Sequence, residues 1–252
     1  MIKSEKEIEI MREAGRRLAH IVARVAREAA PGVSMKALDS LTHQLIMKGG
    51  DEPAFLGYRP EGATRSYPAS ICASVGGVVV HGVPTSSTLR HGDVLKLDFG
   101  LRHKGYCADM AVTVPIGEVR LEEKRLIAAT KRALDAGIAA IASGKRLGDI
   151  GWAIEQAVRT AKFHVVRGLT GHGIGERLHE EPVVYNYGTP GKGLLLREGM
   201  TLAIEPMVAI GTDRVVQLRD DSFETADKST AAHFEHTVLV GKDGPEILTL
   251  DI

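Results

Sequence analysis

The chain has 252 residues, 44% hydrophobic and 25% charged, the balance of a folded protein rather than a disordered one. Thirty-two basic residues against thirty-two acidic ones exclude binding driven by bulk attraction to nucleic acid or anionic lipid. Two cysteines, Cys72 and Cys107, can build no disulfide framework, and neither belongs to a CxxC or CxxH pair that would suggest thiolate zinc.

Met1 to Glu7 is too charged for a secretory signal, and no apolar run approaches the roughly 20 residues of a membrane span. A cytoplasmic α/β or α+β protein is expected. Ser4 and Glu7 have capping-box spacing, and Ile8, Met11, Ala14, Leu18, Ile21, Val22 and Val25 continue it at helical period up to Pro31-Gly32. Ser34 opens a second helix carrying Leu38, Leu41, Leu45 and Ile46, closed by Gly49-Gly50. From about residue 70 the pattern turns to strands, with Ile71, Val75 and Val78-Val79-Val80 leading to His81. Residues 121–142 and 150–161 read as two further helices split near Gly144, and after Gly171 short strands and glycine-rich loops return.

Leu89-Arg-His-Gly-Asp-Val-Leu-Lys-Leu-Asp98 lines up with Leu196-Arg-Glu-Gly-Met-Thr-Leu-Ala-Ile-Glu205 at an offset of 107 residues. Each segment ends in a carboxylate, and each half begins with a helix pair. A duplication would set two α/β halves face to face across a cleft.

The carboxylates are the chemically loaded residues. Asp98 and Asp109 flank the turn His103-Lys104-Gly105. A hairpin symmetric about the bond between His103 and Lys104 makes them direct cross-strand partners, about 4.5–5.5 Å apart. Like charges at that distance call for a proton or a cation between them. Glu205 ends one apolar strand and Glu235 lies in another, whose alternation turns His236 to the opposite face. His172 sits in Gly171-His-Gly-Ile-Gly175, where backbone can approach a ligand closely. His179 follows seven residues later, which is not the i, i+4 pair of helical zinc proteases. His81 ends a buried strand. Two Asp, two Glu and one His suit Mn²⁺, Fe²⁺ or Co²⁺ better than thiolate zinc, and four carboxylates fit a pair of ions.

In this order Val80-His81-Gly-Val-Pro, Leu97-Asp98, Ala108-Asp109, Thr170-Gly-His172-Gly-Ile-Gly, Leu178-His179-Glu-Glu-Pro, Ile204-Glu205-Pro-Met and Phe234-Glu235-His-Thr resemble type I methionine aminopeptidases. These are the smaller pita-bread metallopeptidases, and the resemblance spans nearly the whole chain. It implies an α+β pita-bread fold over residues 1–252 as a single catalytic domain, two pseudo-symmetric halves around a central antiparallel sheet. It also implies removal of an initiator methionine before a small second residue. Asp98, Asp109, His172, Glu205 and Glu235 would bind two divalent ions (Co, Mn, Fe or Zn). Glu205 would act as general base, His179 as oxyanion donor, and His81 at the scissile amide nitrogen. Phe55, Tyr58, Tyr67, Cys72 and Leu178 match the pocket for the methionine side chain. Substrates would be nascent N-termini, with the ribosome as a candidate partner, no membrane or specific nucleic acid, and a monomeric state. The family's tryptophan shortly before the second metal-binding glutamate is absent, and Asp220-Asp-Ser-Phe223 occupies that region.

Three rivals fare worse. A proline-directed peptidase of this fold is expected to need an additional N-terminal domain, for which 252 residues leave no room. A type II enzyme needs a helical insertion between His179 and Glu205, where only 25 residues lie. A binding protein that had lost catalysis would not be expected to keep all five ligands and both auxiliary histidines.

Overall fold

In the computed structural model, which describes residues 2–59 and 65–250, Ser4 opens the first helix as its spacing predicts. The Glu7 carboxylate accepts hydrogen bonds from the Ser4 backbone N–H and its hydroxyl. The N-terminal half contains helices α1 (Glu5–Glu28) and α2 (Met35–Lys48) and strands β1 (Glu52–Pro53), β2 (Ile71–Val75), β3 (Val78–Val80), β4 (Val94–His103) and β5 (Tyr106–Pro115). The C-terminal half starts with α3 (Leu121–Ala139) and α4 (Leu147–Thr160), then β6 (His164–Val165), β7 (Gly171–Gly173), β8 (Glu180–Val184), β9 (Thr201–Ile204) and β10 (Met207–Ala209). It ends with β11 (Val215–Gln217), β12 (Phe223–Thr225), β13 (Ala231–His233), β14 (His236–Gly241) and β15 (Gly244–Ile247).

The internal repeat extends to backbone detail. Gly32 after α1 and Gly144 after α3 both take left-handed φ, +90° and +88°, and their N–H groups donate to Leu89 O and Leu196 O respectively. Leu89 N–H and Leu196 N–H return bonds to Val33 O and Lys145 O, both at 2.8 Å. The repeated glycines Gly92 and Gly199 turn the chain into β4 and β9 with φ of +92° and +83°. In each half one strand of the repeat lies between two antiparallel neighbours: β4 between β2 and β5, and β9 between β7 and β14.

Each half buries its own helix pair against its own sheet. Ala14, Leu18, Ile21, Val22 and Val25 of α1 pack on Leu95, Leu97, Phe99 and Leu101 of β4. Leu126, Ala129 and Ala133 of α3 and Ile150, Ile154 and Val158 of α4 pack on Leu202, Ile204, Val238 and Val240. Period-2 alternation then leaves the other faces of β4 and β9 turned inward, away from the helices. The halves are stitched at β5: Asp109 N–H donates to Thr237 Oγ1, Thr237 Oγ1–H donates to Asp109 O, and Glu235 N–H donates to Ala111 O, each at 2.9 Å.

One expected detail is corrected. The hairpin turns on Lys104-Gly105, with φ of 47° and 89°, so His103 pairs with Tyr106. Two-residue turns with both central residues left-handed match the twist of their strands and favour glycine at the second position. Asp98 therefore faces Ala111, and Asp109 faces Gly100. The two aspartates are diagonal neighbours on one face, not direct partners. Gly100 is needed between them for a separate reason: a Cβ there would meet the Phe55 ring at 2.5 Å. Among the described residues no helix is long and apolar enough to cross a membrane.

Candidate metal centre and active site

Asp98, Asp109, His172, Glu205 and Glu235 come from β4, β5, β7, the residue after β9 and the residue before β14. All meet on the inner side of the sheets. One ligand atom each of Asp98, Asp109 and Glu235 lies within 4.8 Å of the others, as do those of His172, Glu205 and Glu235. Asp109, His172 and His179 form a third such group. The shared members Asp109, His172 and Glu235 make the centre continuous rather than three separate sites.

The polar accounting at this centre does not close without a cation. Asp98 Oδ1, Asp109 Oδ1 and Glu235 Oε1 are buried with no hydrogen-bond partner among the described residues. Unmet buried carboxylate oxygens are costly. His172 makes the point directionally. Its Nδ1–H donates to the Gly173 carbonyl at 2.9 Å, so Nε2 is left as an acceptor. That nitrogen faces Glu205 Oε1 at 3.5 Å and Asp109 Oδ2 at 3.8 Å. Acceptors converging on acceptors are stable only around a positive charge or a proton. Burial accordingly drives Asp98 up to about 7, and burial with neighbouring carboxylates holds Asp109 and Glu235 well above the ordinary range. Burial alone does the same to Glu205 and pushes His172 down to about 4. The site thus fits divalent cations on an oxygen-rich ligand set with one imidazole.

His81 and His179 lie beside this centre, both exposed. His179 Nδ1 is 2.7 Å from the Tyr58 hydroxyl, and its ring stands edge-on to that of His172 with centroids 4.3 Å apart. Desolvation in the cleft, then the nearby His172 and His81, lowers it to about 3. His81 takes a left-handed φ of 60°, uncommon for a non-glycine residue. Its ring rests against Phe223 at 5.8 Å. Phe223, which occupies the region of the absent tryptophan, therefore supports His81 and packs beside the cluster of Val79, Val80 and Met207.

The residues matched to the methionine pocket gather in one place. Phe55, Cys72 and Leu178 belong to one buried apolar cluster, with Tyr58 and Tyr67 packed against it. Phe55 and Tyr67 meet edge to face, centroids 6.4 Å apart, and the Tyr67 hydroxyl is held by the carbonyls of Ile71 and Gly82. Cys72 is paired with Asp98 across β2 and β4, which sets the apolar cluster beside the carboxylates. Tyr58 reaches the site despite the stretch separating it from Tyr67, part of which (60–64) lies outside the described residues. His236, as expected from alternation, turns away and bonds Thr249 Oγ1 at 2.9 Å.

Two buried groups had no role assigned from the sequence. Lys96 is 1% exposed and donates through Nζ to the Gly76 carbonyl at 2.7 Å, its pKa lowered by burial to about 7. His233, also 1% exposed, places Nε2 3.6 Å from Glu205 Oε2. The signal available for His233 was alternation: it shares strand parity with Glu235.

Residues 9–242 match the model of metallopeptidase family M24. Methionine aminopeptidase 1 of Mycobacterium tuberculosis is 43% identical over 98% of this chain and 94% of its own length. Methionine aminopeptidase 1 of Bacillus subtilis is 40% identical over 98% of each. The solved methionine aminopeptidase of Thermotoga maritima superposes with a TM-score of 0.95 at 41% identity, covering 100% of this chain and 99% of that one. The prolidase of Pyrococcus horikoshii, 21% identical with a TM-score of 0.78, shares the fold, and this chain covers 64% of it. Likeness along the full length, around a centre of four carboxylates and a histidine, places the chain in metallopeptidase family M24 as one of its methionine aminopeptidases.

Proposed function

We propose that Asp98, Asp109, His172, Glu205 and Glu235 together hold two divalent cations, and that Glu205, His179 and His81 carry hydrolysis of the first peptide bond. The observation behind this reading is the His172 geometry: an imidazole whose proton is committed to Gly173 aims its lone pair at two carboxylates. When bound, the cations lower the pKa of a water and act as Lewis acids toward the substrate carbonyl.

The chain's own residues do the rest. The cluster of Phe55, Tyr58, Tyr67, Cys72 and Leu178 takes the methionine side chain by apolar burial beside Asp98. Glu205 accepts the proton of the attacking water and returns it to the leaving amine, as base and then acid. Burial raises its proton affinity, which suits it to hold that proton between the two transfers. With the Tyr58 hydroxyl donating to Nδ1, His179 keeps its proton on Nε2 and donates to the oxygen that gains charge. His81 contacts the scissile amide nitrogen. The substrates proposed are nascent chains with a small second residue, met in the cytoplasm by a monomer, with the ribosome as a candidate partner.

The test is chelation followed by re-addition of single ions, with Mn²⁺, Co²⁺, Fe²⁺ and Zn²⁺ in separate arms and Met-Ala-Ser as substrate. Loss on chelation and recovery with about two ions per chain is expected. Unchanged turnover by the stripped protein would defeat the reading.

A further inference from the structure

His233 has no place in the chemistry above, yet it is among the most enclosed polar side chains of the molecule. Its residue is 1% exposed, and both ring nitrogens are buried with no hydrogen-bond partner among the described residues. An imidazole must carry at least one N–H, so at least one buried donor is unmet, a costly arrangement that calls for an explanation. The backbone that carries the ring is fixed. His233 N–H donates to Thr113 Oγ1 at 2.9 Å, Thr113 donates back to His233 O at 2.6 Å, and the residue pairs with Met207 across β13 and β10.

The geometry on Glu205 is two-sided. His172 Nε2 lies 3.5 Å from Oε1, and His233 Nε2 lies 3.6 Å from Oε2. His172 belongs to two of the groups of converging ligand atoms, whereas His233 belongs to none of them. It stands behind the carboxylate, not among the ligands. We propose that His233 is a positioning residue for Glu205: its Nε2–H holds Oε2, so that Oε1 is presented to the ion shared with His172. The separation is just beyond hydrogen-bond length, and a small rotation of the Glu205 carboxylate closes it. Hydrogen bonds of this kind to a metal-binding carboxylate set its orientation and its basicity. This role rests on Glu205 being a ligand, as proposed above.

The experiment compares the parent, His233→Ala and His233→Gln. It uses calorimetric titration of the chelated proteins with Mn²⁺ alone, and separately steady-state hydrolysis of Met-Ala-Ser. Ala should weaken Mn²⁺ binding roughly 10- to 100-fold, lower kcat, and leave KM within about twofold, since the apolar pocket is untouched. Gln, whose amide can donate to Oε2, should restore most of both. The Co²⁺ absorption spectrum at saturation should keep its shape in all three proteins, because no ligand is lost. Parent-like Mn²⁺ affinity in a folded Ala variant would overturn the proposal, as would a Co²⁺ spectrum altered by the Ala substitution, which would make His233 a ligand. Failure of the parent itself to bind Mn²⁺ would instead overturn the metal centre, and this role with it.

Discussion

Asp98, Asp109 and Glu235 each bury an oxygen that no described group meets, and the substitution that tests this most directly is Asp98→Asn. It keeps shape and removes charge. The ion-free variant should melt at the same temperature as the parent or higher, because like-charge repulsion at the centre is reduced. Its affinity for Mn²⁺ should fall at least about 10-fold and most activity with it. Thermal melts with and without Mn²⁺, together with Met-Ala-Ser rates, check both halves, and parent-like turnover would refute the ligand role. The histidines divide in the same way. His179→Ala should cost roughly 10²–10³ in kcat through loss of a donor to developing charge. His236→Ala should cost about 1 kcal/mol of stability through its lost bond to Thr249 and leave kcat alone. Equal kinetic losses would count against this division.

Within the elements, the β4–β5 hairpin and its stitch to β14 hold the aspartates in place. Thr237 both accepts from Asp109 N–H and donates to Asp109 O. Thr237→Val keeps the β-branched shape that suits the strand but leaves both buried backbone groups unmet. A loss of about 1–3 kcal/mol is expected, accompanied by weaker Mn²⁺ binding because Asp109 loses its anchor. Denaturant unfolding and Mn²⁺ titration measure the two effects, and destabilisation with undiminished affinity would mean that Asp109 is held by β4 alone. The turn is a contrast. Gly105→Ala forces a side chain onto φ of +89°, which should cost about 1–2 kcal/mol. It should spare Mn²⁺ affinity, since the register is also set by eight further residue pairs from Val94↔Pro115 to Leu101↔Ala108.

For the whole molecule, the burial of four carboxylates between two halves links stability to pH and to the ion. Asp98 is raised from 3.8 to about 7, and Asp109, Glu205 and Glu235 are raised well above their ordinary values. The ion-free folded state therefore binds more protons than the unfolded chain once pH exceeds the ordinary carboxylate range, so its stability falls as pH rises. His81, His172, His233 and His236, lowered to about 4, and His179, lowered to about 3, act in the opposite sense below about 6.5. Above that value the histidines are neutral in both states, and the four carboxylates outweigh Lys96, which is lowered to about 7 and acts in the opposite sense. Between pH 6.5 and 8 the melting temperature of the chelated protein should decline, and that of the Mn²⁺-loaded protein should hold. Their difference should widen, since ion binding displaces protons. A constant difference would mean that the carboxylates ionise freely without the ion.

The helices, the caps of the first two, the apolar strands, the internal repeat and the ordered run of acidic and histidine motifs were all determined by the sequence alone. Each depends on residues a few positions apart: Ser4 with Glu7, the helical period from Ile8 to Val25, the glycines before Leu95 and Leu202. What only the tertiary structure decided depends on which strands become neighbours. The hairpin centre lies one residue beyond the expected one, because the left-handed pair Lys104-Gly105 closes the turn, and that single step moves Asp109 from opposite Asp98 to opposite Gly100. Tyr58 meets His179 across 121 positions of sequence. His233 reaches Glu205 because β13 pairs with β10, two residues beyond that carboxylate. Local spacing determines which face of a strand a side chain takes, whereas only the packing of the two halves determines what that face meets.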